Sequence, residues 1–187
     1  MLNTIKYTES LVKELSKSDA SINTVFSAAV VLGSAWHDIG KKFVPTEVLR
    51  SSNKLTEPEF SVMKQHSQLG FDFFKTVKSD YDLDTQKIIS DVILYHHERY
   101  DGSGYPAGLM GSDIPLSARI VAVTDVFEAL NSSCRTYKCQ YSFEQSKTTI
   151  VEGRGTLFDP IVVDAFLAIA SEWEKILYFT CCPGKCT

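Results

Sequence analysis

The chain has 187 residues, 44% hydrophobic and 22% charged, which suits one compact domain with a buried core. A formal net charge of −4 and the lack of any Lys/Arg-rich block argue against a polynucleotide partner, which normally requires a basic face. No apolar run approaches the roughly 20 residues of a membrane span, and the N-terminus MLNTIKYTES lacks a secretory signal's arrangement, so a cytoplasmic protein is expected.

The pattern predicts helices almost throughout. Ile22 to Trp36 carries Val25, Phe26, Ala29, Val30, Leu32 and Gly33 at three- and four-residue spacing, an apolar face that ends where His37 and Asp38 begin. Gly40 is expected to take the left-handed conformation that stops a helix, turning Lys41 and Lys42 back toward the same site, and Pro45 begins a separate short turn. Thr56, with Pro58 two residues on, caps a helix predicted to run through Phe60, Met63, His66 and Phe73. The next helix, Asp84 to His97, leads Ile88, Ile89, Val92 and Ile93 to two adjacent histidines, whose directions diverge by roughly 100°. DGSGYPAG, from Asp101 to Gly108, is a loop, since its glycines and proline sustain neither helix nor strand. Ser117 to Asn131 makes a further helix with Asp125 facing inward among Val121, Thr124 and Glu128. Pro160 starts the last helix, where Ile161, Val162, Ala165, Phe166, Ile169 and Trp173 form a stripe for packing on the domain or a partner subunit. Leu177 to Cys182 reads as a stray strand, and no internal repeat or domain linker is visible.

The four histidines all fall in motifs. They are His37 in HDIGK, His66 in QHSQLG, and His96 and His97 in HHERYDGSGYP, followed at Asp125 by the acidic segment VTDVFEAL. Neutral imidazole is the commonest side-chain metal ligand, and Asp38 and Asp125 complete a mixed nitrogen and oxygen shell for a first-row transition metal. Each histidine alone reads as a structural residue; together they point to a metal-dependent hydrolase. The five cysteines cannot all pair within one chain. Cys134 and Cys139 sit in the loop after the Asp125 helix, whereas Cys181, Cys182 and Cys186 crowd a tail, 179–187, that lacks the second ligand pair of a zinc site and reads as unstructured or as a cloning scar.

His37 and Asp38, His66, HHExxDGxGYP from His96 to Pro106, and Asp125 together resemble the HD-GYP family, the cyclic di-GMP phosphodiesterase branch of the HD superfamily. The likeness runs from about Ala28 to about Ala168 and takes in HDIGKKFVP, PLSARIVAVTDVFEAL and GRGTLFDPIVVDAF. It implies an all-α HD-domain helical bundle over residues 22–178, with a metal site between helices and 1–21 as a partial or degenerate first helix. It also implies linearisation of cyclic di-GMP, with further cleavage to GMP left open. A phosphodiester is anionic and repels hydroxide, which is why two divalent ions, iron or manganese, suit this chemistry.

By resemblance Asp38 bridges the ions, His37 and Asp125 serve one, and His66, His96 and His97 serve the other. Lys41 matches the lysine of the family's HDxGK and holds a phosphate oxygen, so Asp38 and Lys41 carry the chemistry. Asp101, Gly102, Gly104, Tyr105 and Pro106 form the signature loop, which borders the site and contacts signalling partners; Asp101 either orients a histidine or caps the loop. Arg135 and Lys138 in CRTYK resemble a substrate-contacting R-P-Y-[RK] segment, although Thr136 replaces the proline and Arg135 lies one residue farther from Asp125. A homodimer is compatible with the resemblance.

One departure leaves alternatives open. The family places a further histidine ligand on the helix preceding HD, and residues 1–17 contain none. Either the chain starts inside that helix, as it would behind a sensory domain, or the ligand is lost, or Glu9 or Glu14 substitutes. The enzyme reading therefore stands beside a catalytically weak module that binds a cyclic dinucleotide or a protein partner. A third reading, another HD-superfamily phosphohydrolase, is opposed by the HHExxDGxGYP run. Cyclic di-GMP and mixed cyclic GMP-AMP differ by one base that no residue in the sequence can be assigned to read.

Overall fold

A computed structural model describes residues 2–51, 53–132 and 141–181. Among these the regular structure is all helix, apart from a single bridge between Arg154 and Phe158. Ten α-helices follow in order: α1 (Leu2–Leu15), α2 (Thr24–Trp36), α3 (Thr46–Leu49), α4 (Glu57–Lys64), α5 (His66–Val77), α6 (Leu83–Tyr95), α7 (Leu116–Asn131), α8 (Phe143–Glu152), α9 (Pro160–Ala168) and α10 (Ala170–Cys181).

The main core joins α1, α2, α7, α9 and α10. Tyr7, Leu11, Val12 and Leu15 from α1 pack with Val30, Val121, Phe127, Val162, Phe166 and Trp173, so the first helix is part of the core rather than an appendage. Trp173 is fully buried, its ring 4.7 Å from Tyr7, 4.8 Å from Phe127 and 4.8 Å from Phe166, and its Nε1–H donates to Ser10 Oγ at 2.8 Å. That bond satisfies the indole's one polar group at the centre of an apolar cluster, where an unpaired donor would be costly. Arg119 of α7 pairs with buried Asp159, whose other oxygen accepts the Ile161 N–H and caps α9. A second, smaller core of Phe74, Ile89 and Ile93 ties α5 to α6, beneath Trp36 and Ile39.

Several expectations need correction. Gly40 lies in a 3-10 turn, Ile39–Phe43, and is absent from the glycines with positive φ. Its role is close approach: a Cβ there would fall 1.9 Å from the His66 carbonyl oxygen and 2.5 Å from the Gly70 nitrogen. Lys42 is exposed rather than turned inward. The helix opened by Thr56 and Glu59, a reciprocal capping box, ends at Lys64, and a new helix begins at His66. The helix leading to the histidine pair ends at Tyr95, with His96 as its cap. The last predicted helix is two, broken at Ile169, and Ile161 is 65% exposed, outside the buried stripe. Leu177 to Cys181 continues α10 instead of forming a strand, because Trp173 and Ile176 recur at helical spacing against the core. Cys134, Cys139, Cys182 and Cys186 lie outside the described residues.

Candidate metal centre

The ends of three helices and the middle of a fourth converge on one pocket. His37 and Asp38 close α2, His66 opens α5, His96 and His97 follow α6, and Asp125 sits within α7. His37 Nδ1 lies 2.6 Å from the Ser34 carbonyl oxygen and His66 Nδ1 2.8 Å from that of Met63. His96 Nδ1 faces the carbonyls of Val92 and Ile93 at 3.0 and 3.1 Å. A carbonyl can only accept, so in all three rings Nδ1 carries a proton and Nε2 is the atom presented to the pocket.

Those Nε2 atoms meet Asp38. His37 Nε2 is 3.4 Å from Asp38 Oδ2 and 3.3 Å from Asp125 Oδ1, and His66 Nε2 is 3.5 Å from Asp38 Oδ1 and 3.4 Å from His96 Nε2. Two groups of residues could each hold a metal ion: His37, Asp38 and Asp125, and Asp38, His66, His96 and His97, with donor atoms within 4.8 Å of one another in each. Asp38 belongs to both. Its Oδ1 is buried without a hydrogen-bond partner, while Lys41 Nζ donates to Oδ2 at 2.6 Å. An unpartnered carboxylate oxygen facing imidazole lone pairs is costly in a protein and is what a cation would satisfy, so the residues fit a metal.

The two groups differ in protonation. Burial opposes charge on His37, but hydrogen bonds to Asp125 and Asp38 outweigh it and raise its pKa from 6.5 to about 10. Burial likewise disfavours the Asp38 and Asp125 anions, yet His37 holds both far below the usual carboxylate range. On the other side burial prevails: His66 and His96 are lowered, and His97 falls to about 4.

The signature loop walls this pocket. The Tyr105 ring stacks on His97 at 4.8 Å, and the Tyr105 N–H donates to the His97 carbonyl. Gly104 permits that path, since a Cβ there would lie 2.3 Å from the Arg99 nitrogen. Asp101 caps the loop by accepting the Ser103 N–H at 2.9 Å, and Gly102 N–H bonds the Arg99 carbonyl. Pro106 joins Tyr105 through a cis peptide bond. The residue that sequence reasoning missed is Glu98. It is 3% exposed, and its carboxylate accepts the N–H groups of Ala107, Gly108 and Leu109 at 2.7, 3.1 and 3.2 Å, clamping the loop behind Tyr105.

On α1 neither acid substitutes for the missing histidine: Glu9 is exposed and Glu14 pairs with Lys17. The buried face of α1 instead sets the Thr8 hydroxyl 3.1 Å from that of Thr124, the neighbour of Asp125. Arg135 and Lys138 lie outside the described residues.

The sequence model of the HD domain family matches residues 3–162, and the chain belongs to that family. A cyclic di-GMP phosphodiesterase of Vibrio cholerae serotype O1 is 43% identical over 141 residues, covering 75% of this chain and 28% of that protein. The cyclic di-GMP phosphodiesterase response regulator RpfG of Xanthomonas campestris pv. campestris is 40% identical over 164 residues, covering 88% and 41%. The chain thus spans less than half the length of these relatives. Among solved structures, the cyclic GMP-AMP-specific phosphodiesterase V-cGAP3 of V. cholerae superposes with a TM-score of 0.65 at 14% identity, over 94% of this chain and 45% of that one, a likeness of fold. The HD-GYP resemblance and the all-helical HD-domain fold expected from the motifs are borne out. No described helix is long and apolar enough to cross a membrane.

Proposed function

We propose that this domain is a metal-dependent phosphodiesterase that opens cyclic di-GMP to the linear dinucleotide. The observation that carries the reading is the pair of ligand groups sharing Asp38, with one oxygen of that carboxylate unpartnered and the other on Lys41. The names of the relatives, phosphodiesterases of cyclic di-GMP, supply the substrate class. His37, Asp38 and Asp125 would hold one divalent ion and Asp38, His66, His96 and His97 a second, iron or manganese. When bound, such ions neutralise charge developing on phosphorus and activate water.

The chain's own residues do the remaining tasks. Backbone carbonyls fix three imidazoles with Nε2 inward, so the ligands are oriented before anything binds. Lys41, 38% exposed and held on Asp38 Oδ2, is the cation beside them and would meet a non-bridging phosphate oxygen, stabilising charge in the transition state. Tyr105 closes one wall and limits water around His97. Arg135 and Lys138 would contact the substrate.

A second reading, a module that binds cyclic dinucleotides without cutting them, is favoured by one observation: α1 carries no histidine, and neither Glu9 nor Glu14 takes its place. Timed chromatography of cyclic di-GMP with anaerobically purified, metal-loaded protein decides between them. Linear dinucleotide that forms with wild type and not with His96→Ala supports the enzyme. Saturable binding with intact nucleotide after iron or manganese is supplied supports the module and overturns the enzyme.

A further inference from the structure

Phe60, Lys64 and Tyr105 border the metal ligands without belonging to either group. Phe60 and Lys64 stand one turn apart on α4 and therefore share a face. Phe60 meets Tyr105 edge-on, centroids 6.4 Å apart and planes at 86°, and Tyr105 in turn stacks on His97. The chain of rings thus runs outward from a candidate ligand to a phenyl group that remains 42% exposed. Lys64 Nζ lies 5.2 Å from the Phe60 centroid and 5.9 Å from that of Tyr105, and no ion pair engages it among the described residues. An exposed ring with an amine over its face that forms no ion pair among the described residues, beside a pocket suited to a phosphodiester, has the parts of a nucleobase subsite.

We propose that Phe60 is the stacking platform for one purine base of the substrate and that Lys64 reads that base as guanine. The proposal rests on the cyclic dinucleotide reading above and adds the residues that set its specificity. A base laid on the phenyl ring takes the ammonium's place over that face, moves it to the base's edge, and gains stacking that every purine offers. Discrimination comes from the edge: guanine presents two acceptors, O6 and N7, to an ammonium group, whereas adenine places a donor amine beside N7. Cyclic di-GMP and mixed cyclic GMP-AMP can both offer a guanine to one such subsite, and cyclic di-AMP cannot.

The test is kcat and KM for those three dinucleotides with metal-loaded wild type, Phe60→Leu, Phe60→Trp, Lys64→Met and Lys64→Arg, with metal content and circular dichroism measured on each. Leucine keeps apolar bulk but not the π-face, so Phe60→Leu is expected to raise KM for cyclic di-GMP roughly tenfold, while Phe60→Trp holds it near the wild-type value. Lys64→Met is expected to erase the preference for cyclic di-GMP over cyclic di-AMP, and Lys64→Arg to retain it. An unchanged KM in Phe60→Leu, or an unchanged preference in folded, metal-loaded Lys64→Met, overturns the subsite and leaves the phosphodiesterase standing. If wild type binds without turnover, the same ranking is read in Kd by calorimetry. If wild type neither cleaves nor binds any of the three, both the function and the subsite fall.

Discussion

The two ligand groups of the candidate metal centre are built from the same kinds of side chain, share Asp38, and are pushed toward opposite protonation states. Around His37, two carboxylates at hydrogen-bonding range stabilise an imidazolium that burial alone would forbid. Around His66, His96 and His97, three rings crowd one carboxylate, burial prevails, and the rings are neutral with lone pairs ready to bind. The lesson is that, with all four rings largely buried, the ratio of carboxylates to imidazoles decides whether charge or burial prevails, and so which half of a histidine site must give up a proton before it can hold a cation.

Removing the shared residue should break both halves at once. Asp38→Ala is expected to take turnover to background and to lose metal from both sides, whereas Asp125→Ala should spare the histidine side; metal analysis alongside chromatography distinguishes the two. Lys41→Met tests the charge beside the ligands: kcat should fall roughly 10²–10³-fold with metal content retained, because its amine binds Asp38 Oδ2 without itself being a ligand and is the cation nearest to where a phosphate would sit.

The pH dependence sharpens the contrast further. His37 stays protonated up to about pH 10, so binding on its side displaces a proton, and affinity there should rise about tenfold per pH unit from pH 6.5 toward that value. The histidine side, with His97 near 4, should show a flat profile over the same range. Calorimetry in buffers of differing ionisation enthalpy reads the proton directly, and two flat profiles would abolish the distinction. In metal-free protein the sign reverses: the raised His37 pKa stabilises the fold below pH 6.5, and that stability is lost as pH rises through about 10. A smaller effect is expected from the loop clamp. Glu98→Ala strands three backbone N–H groups and should cost about 3 kcal/mol in thermal unfolding, with turnover reduced roughly 10–100-fold as Tyr105 loosens from His97.

The histidine cluster was legible because histidine is scarce in this chain, and His37, His66, His96 and His97 all stand at or beside helix ends. Glu98 was not, although it stands in the same motif. Its role depends on three backbone N–H groups that only the folded loop brings together, and the one available signal was an acid between a histidine pair and a glycine-rich turn. Gly40 shows a related ambiguity, since a left-handed turn and a close approach demand the same residue and sequence alone does not separate them. The break at Gln65 carries no glycine or proline and leaves no mark in the periodicity. The helix at Phe143–Glu152 had a readable start that periodicity does not single out: Ser142 and Gln145 form a capping box. Phe60 and Lys64 read as ordinary helix residues until the fold sets them against Tyr105.

The most direct test of the account is a loading curve in which metal per chain and cyclic di-GMP turnover are followed in the same anaerobic sample near pH 7. The account predicts that the neutral histidine side fills first, and that linear dinucleotide appears only as loading passes from about one to about two ions per chain. Full loading with the cyclic nucleotide left intact would contradict it.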